Sequence, residues 1–159
     1  MRIAIVYDSV FGNTAVIAEA IARSARELGE VTLLQARDAA GFDPAAFDLL
    51  VVGSPTRGFA PTPVISEFTG GLPKAALAAA AFDTRLDPDH IQPVPLRWVI
   101  QVGGYAADRI VGTLHEKGYR VLAPNGDFLV HGTEGPLKPG EIERAEVWLK
   151  QIAGGVSTG

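Results

Sequence analysis

The sequence predicts a three-layer α/β domain: a doubly wound, five-stranded parallel sheet with helices on both faces. Two observations carry that expectation. The apolar runs Ile3-Ala4-Ile5-Val6-Tyr7 and Leu49-Leu50-Val51-Val52 do not alternate with polar residues, as strands buried on both faces require. Such runs also alternate along the chain with segments of helical period, which calls for right-handed crossovers between parallel strands. The chain has 159 residues, 47% of them hydrophobic and 20% charged, enough for one core and not for two ordinary domains. The expected domain spans 1–153, with residues 154–159, a Gly-rich ending, as a flexible tail.

The elements follow in order. Ile3 to Tyr7 is the first strand, stopped by Asp8-Ser9. Thr14 to Leu28 is a helix, because Ile17, Ala18, Ile21, Ala25 and Leu28 share a face and Gly29 stands where a C-terminal cap belongs. Glu30 to Leu34 is a short strand, and 35–47 is irregular around Gly41 and Pro44. Leu49 to Val52 is the third strand, followed by a loop over 53–58. Pro63 to Thr69 reads as a short helix with Pro at its first position. Lys74 to Ala81 presents a conflict. Its alanines favour helix by propensity, whereas the alternation of the chain calls for a strand, ended at Phe82-Asp83-Thr84. The alternation is given precedence, since tertiary context overrides propensity. Residues 84–104 form a long connection, with Arg97 to Val102 as a candidate short strand. Ala106 to Lys117 is a helix ended by Gly118, Tyr119 to Leu122 and Phe128 to Val130 are extended, and Gly140 to Ala153 is the last helix.

Composition excludes several kinds of chemistry. The chain has no cysteine, so disulfides, thiolate metal sites and thiol catalysis are out, and a reducing, cytoplasmic location is expected. Fourteen Lys and Arg against eighteen Asp and Glu give a net charge of -4 with no basic tract, so nucleic acid is not an expected partner. No apolar run approaches the ~20 residues of a membrane span. His90, His115 and His131 lack metal-ligand spacing, Gly53-Ser54-Pro55-Thr56 is not a nucleophile elbow, and Glu141, Glu143 and Glu146 read as a solvated helix face. A phosphoacceptor receiver domain would need an Asp at the end of the third strand, where Gly53-Ser54 stands.

The segment Asp8-Ser9-Val10-Phe11-Gly12-Asn13-Thr14 joins the first strand to the first helix. Backbone N–H groups and the helix dipole converge at such a joint and favour a phosphate. Gly12 permits close approach, and Ser9, Asn13 and Thr14 add side-chain donors. The simpler reading is that Asn13 or Thr14 caps the helix. The loop has neither the Gly-Lys-Ser/Thr end of a Walker loop nor Gly-x-Gly-x-x-Gly, which argues against a dinucleotide.

Ser9-x-Phe11-Gly12-Asn13-Thr14 after a hydrophobic first strand resembles the phosphate loop of flavodoxins, whose usual signature is Ser/Thr-x-Thr-Gly-x-Thr. Val52-Gly53-Ser54-Pro55-Thr56 with Gly58 is similar to that family's second flavin-binding loop. Phe82-Asp83-Thr84-Arg85, Gly135-Pro136-Leu137 and Glu141-x-x-Arg144-Ala145 resemble a flavodoxin-like branch. The resemblance implies the flavodoxin fold, strand order 2-1-3-4-5, and FMN as cofactor. It implies that Ser9, Val10, Gly12, Asn13 and Thr14 hold the phosphate, with Phe11 in place of the usual Thr and one hydroxyl contact fewer. It implies that Ser54, Pro55, Thr56, Arg57, Gly58 and Phe59 border the flavin ring, and that Asp83, Thr84 and Arg85 meet its pyrimidine edge. Phe59, Trp98 and Tyr105 are candidates to stack on the ring or to pack elsewhere; Trp148 belongs to the core.

The implied function is electron transfer by an FMN-binding flavodoxin-like protein, without a catalytic residue of its own, acting with a redox partner protein as a monomer or weak dimer. Two alternatives stand beside it: an FMN-dependent NAD(P)H:quinone or flavin reductase, and a cofactor-free interaction domain on the same fold. Arg57 and Arg85 lie within the implied site. A guanidinium there favours the anionic reduced ring, and each ~59 mV of one-electron shift is a tenfold change in equilibrium. The competing expectation is that they face solvent or pair with Asp83 and Asp87.

Overall fold

The computed structural model describes residues 1–57, 60–87 and 105–156. Its strands are β1 (Arg2–Tyr7), β2 (Glu30–Gln35), β3 (Leu49–Pro55), β4 (Ala78–Leu86), β5 (Arg120–Val121) and β6 (Gly126–Val130). Its helices are α1 (Asn13–Arg26), α2 (Pro63–Gly70), α3 (Ala106–Glu116) and α4 (Glu141–Ala153). All strand pairs are parallel and the order is β2-β1-β3-β4-β5, with β6 also on β4. The fifth strand of the expected sheet is thus present in two pieces. β5 pairs with Ala78 and Ala79, and β6 with Phe82 to Leu86 of the same neighbour.

Side-chain alternation divides the core between the two faces. Ile3, Ile5, Leu49, Val51, Ala80 and Phe82 pack with Ile17 and Ile21 of α1 and Trp148 and Leu149 of α4. Ala4, Val6, Leu50, Val52, Ala79 and Ala81 pack with Ile65 of α2 and Ile110 and Leu114 of α3. The alanine run is therefore a central strand, fully buried on both faces from Ala79 to Ala81. Small side chains there suit a strand overlain by helices on both sides, and burial overrides helix propensity.

Several expectations change in detail. β3 continues through Gly53, Ser54 and Pro55, and β4 runs through Asp83 and Thr84 to Leu86, because the two strands stay paired up to Pro55 and Thr84. A Cβ on Gly53 would sit 2.0 Å from the Phe82 ring, so the absence of a side chain admits that ring to the core. Gly29 does not cap α1 in a left-handed turn; its Cβ would lie 1.9 Å from the Met1 carbonyl oxygen, a close approach only Gly allows. Gly118, at φ +89°, does end α3 as expected. Glu141 does not lie on a solvated face: it is buried, and its carboxylate accepts from the Leu129 N–H at 2.7 Å and from Arg144 at 2.6 and 3.0 Å. At the C-terminus, Arg120 donates to the carbonyls of Gly155 and Val156 at 2.9 and 3.2 Å, and Val156 packs on the core. The candidate strand over 97–102 lies outside the described residues.

Candidate functional site

The carboxyl ends of β1, β3, β4 and β6 open on one side of the sheet, where doubly wound folds bind ligands. β1 runs into the loop 8–12, and α1 starts at once. Gly12, at φ +95°, is the residue that turns the chain into the helix, without a side-chain cap of its own. Ser9 closes the loop instead. Its Oγ accepts from the Gly12 N–H at 3.1 Å and the Ala15 N–H at 3.2 Å, which leaves the hydroxyl proton free to donate outward. Val16 N–H already bonds to the Gly12 carbonyl. The N–H groups of Asn13 and Thr14, first in the helix, meet no acceptor among the described residues.

Neither Asn13 nor Thr14 caps α1. Asn13 Nδ2 donates to the Glu134 carbonyl at 3.1 Å. The hydroxyls of Thr14 and Thr84 share a buried hydrogen bond of 2.7 Å that ties the start of α1 to β4. Together these groups border a cleft of about 230 Å³. Val10, Phe11, Asn13 and Thr14 line one side, and Pro55, Thr56, Arg57, Thr84 and Arg85 another. Among the described residues the lining contains no carboxylate and two arginines.

A family model described as a flavodoxin domain matches residues 4–78, the part that carries the first loop and the first three strands. The fold is flavodoxin-like. It superposes on an archaeal flavodoxin with a TM-score of 0.77 at 20% identity, covering 99% of both chains. Flavodoxin 2 from Bacillus cereus gives 0.73 at 19%, covering 97% of this chain and 99% of that one. Rubredoxin oxygen:oxidoreductase from Desulfovibrio gigas gives 0.71 at 17%, over 99% of this chain but 36% of that larger one. No curated protein sequence matches.

The expected site residues of this flavodoxin-like fold separate into three groups. Val10, Phe11, Asn13, Thr14, Pro55, Thr56, Arg57, Thr84 and Arg85 meet in the cleft, with Ser9 and Gly12 shaping its first loop. Ser54, Asp83 and Tyr105 are near it but hold the fold. Ser54 is fully buried and its Oγ accepts from the Thr62 N–H at 3.0 Å. Gly58, Phe59 and Trp98 lie outside the described residues.

Asp83 organises the N-terminus of α3. Its carboxylate, fully buried, accepts from Arg85 Nε and Nη2, both at 2.7 Å, and from the Ala107 N–H at 2.9 Å. Thr56 Oγ1 accepts from the adjacent Ala106 N–H at 3.0 Å. Two strand-end side chains thus satisfy two orphan donors of the helix. The Arg85 guanidinium lies 3.6 Å over the Tyr105 ring, so Tyr105 stacks on a cation within the protein. Burial raises the Asp83 carboxyl from its ordinary range, and Arg85 opposes that rise. Burial pulls the guanidinium down and Asp83 more than offsets it, so Arg85 stays charged. Arg57 is placed differently: it is exposed, its guanidinium 5.5 Å over the Phe11 ring. Of the two arginines, Arg85 therefore meets the pairing expectation, through Asp83. Asp87 pairs instead with Lys138.

Sequence reasoning missed Leu86, Val130 and Thr133, which also line the cleft. A signal for them existed. The strand-end rule that points to the loops after β1 and β3 applies equally to the end of β6 at Val130.

Proposed function

We propose that this chain binds FMN in the strand-end cleft and serves as an electron carrier between partner proteins. One observation carries the reading most: among the described residues, the α1 N-terminus presents open Asn13 and Thr14 N–H groups beside the Ser9 hydroxyl, on a cleft lined by no carboxylate. That donor set suits a phosphate dianion, which needs several N–H donors and is repelled by acid groups. The apolar lining from Phe11, Pro55, Leu86 and Val130 suits a flat aromatic ring.

Bound FMN would supply reversible one- or two-electron chemistry. The protein's residues do the rest. Ser9, Asn13 and Thr14 hold the phosphate end through the hydroxyl and backbone N–H groups. Pro55, Thr56 and Arg57 border the ring. Arg85, fixed by Asp83 and Tyr105, offers donors to a polar ring edge while its charge is matched internally. Arg57, placed over Phe11, is then the cleft cation that acts on the reduced ring.

The reading is tested by the visible absorbance of the purified protein and by titration of the apoprotein with FMN, followed by flavin fluorescence. Flavin absorption bands or strong quenching support it. Neither, in a sample folded by circular dichroism, rejects it.

A further inference from the structure

Resting on that reading, we propose that the loop 131–137 is a further ligand-binding wall, and that Thr133 gives the phosphate the side-chain hydroxyl that Phe11 does not. Most side chains expected to contact the phosphate are engaged elsewhere. The Asn13 amide donates to the Glu134 carbonyl, and the Thr14 hydroxyl is paired with Thr84. Thr56, expected at the ring and not at the phosphate, accepts from Ala106. Among the described residues, Thr133 is the one threonine of the cleft lining without a hydrogen-bond partner.

The loop is built to stand where it does. Its base is closed by the Val130–Leu137 bridge, with His131 N–H to the Pro136 carbonyl at 2.9 Å and Lys138 N–H to the Leu129 carbonyl at 2.9 Å. Its tip is closed by Gly135 N–H to the Gly132 carbonyl at 2.9 Å. The tip is fastened to the phosphate loop by the Asn13–Glu134 bond, and Asn13 fills the space a side chain on Gly135 would need: a Cβ there would lie 2.6 Å from Asn13 Oδ1. Thr133, next to Glu134, is thereby held at the same end of the cleft as the open helix N–H groups. Asn13 is then a positioning residue through its side chain and a ligand contact only through its N–H. The Gly135-Pro136-Leu137 motif has its role here, as the turn that returns the loop to β6.

The test compares FMN with riboflavin, which lacks the phosphate, in wild type, Thr133→Val and Gly135→Ala. Thr133 is exposed, so its substitution leaves the fold intact. Thr133→Val is expected to weaken FMN binding about tenfold, the effect of one hydrogen bond to a charged acceptor, and to leave riboflavin binding within about twofold. Gly135→Ala, which pushes the loop off Asn13, is expected to act in the same direction. Unchanged FMN affinity in Thr133→Val, or equal losses for FMN and riboflavin, overturns the proposal while the cofactor reading stands. If wild type does not quench FMN, the cofactor reading fails instead. Thermal stabilisation by inorganic phosphate, lost in Thr133→Val or not, then decides the Thr133 contact by itself.

Discussion

Replacing Glu141 by Ala should destabilise the protein by about 2–4 kcal/mol, although the residue sits in a run of acids that reads as a solvated surface. The figure follows from its contacts. The carboxylate accepts from the Leu129 N–H at 2.7 Å, a part-buried bond that ties α4 to the β6 strand, and truncation leaves this donor without its charged acceptor. A hydrogen bond to a charged acceptor is worth roughly 1.5–3 kcal/mol. The Arg144 pair adds little, about 0.5 kcal/mol, because Arg144 is 45% exposed and well solvated. Loss of an acid from the first turn of α4 adds roughly 0.3–1 kcal/mol more. For a chain of this length each kcal/mol lowers Tm by about 2–4 °C, so a fall of roughly 4–16 °C is expected. Glu141→Gln keeps an acceptor for Leu129 and should cost about half as much. Glu143→Ala, at an exposed neighbouring position, should stay within about 0.5 kcal/mol. Urea unfolding followed by circular dichroism measures all three. If Glu141→Ala and Glu143→Ala lose the same small amount, the anchoring role assigned to Glu141 is refuted.

Gly53→Ala should cost about 3 kcal/mol in the same assay, because its Cβ meets the Phe82 ring at 2.0 Å and that ring is held by Phe128 and Trp148. A loss under about 1 kcal/mol would show that the ring can move aside. Tyr119 is buried and donates to the Pro73 carbonyl at 2.9 Å, and burial raises its phenol above the ordinary 10.0. The fold thus favours the neutral phenol; its contribution is full below pH 10 and is lost as pH rises through the raised value. Tyr119→Phe should cost about 1 kcal/mol at neutral pH, with the gap to wild type closing in alkali; a constant gap contradicts this. If FMN binds as proposed, Arg57→Ala should lower the flavin midpoint potential by an amount on the order of tens of millivolts, read by redox titration. No shift would remove Arg57 as the cation that favours the reduced ring.

The sheet was legible because its strands are buried on both faces, so that Ile3 to Tyr7 and Leu49 to Val52 carry no competing periodicity. The alanine strand was legible only through the alternation of its neighbours, since nothing within Ala78 to Ala81 distinguishes a packed strand from a helix. The extension of β4 through Asp83 to Leu86 was hidden by polarity. Asp83 and Thr84 look like the end of a strand, but Arg85, Ala107 and Thr14 satisfy them in place. Glu141 misled for the same reason: its sequence neighbourhood is acidic, its partner Leu129 lies on β6, and its helix neighbour Arg144 is bound in turn to Asp127 of β6.

The candidate site shows where this kind of reading stops. A strand–loop–helix joint announces an anion site through backbone geometry alone, and Gly12 in its left-handed conformation supplies it. Side chains at the same joint carry no such guarantee, because a hydroxyl or amide serves equally well to fasten one loop to the next. Asn13 bridges to the loop after β6, Thr14 to β4, and Thr56 and Asp83 to the start of α3. These four fastenings join segments 24 to 121 residues apart, which no local motif could disclose. They fix the walls of the cleft before any ligand arrives, so little ordering cost is left to binding. The open N–H groups, which belong to every sequence, then meet the ligand, while the distinctive side chains hold those groups in position.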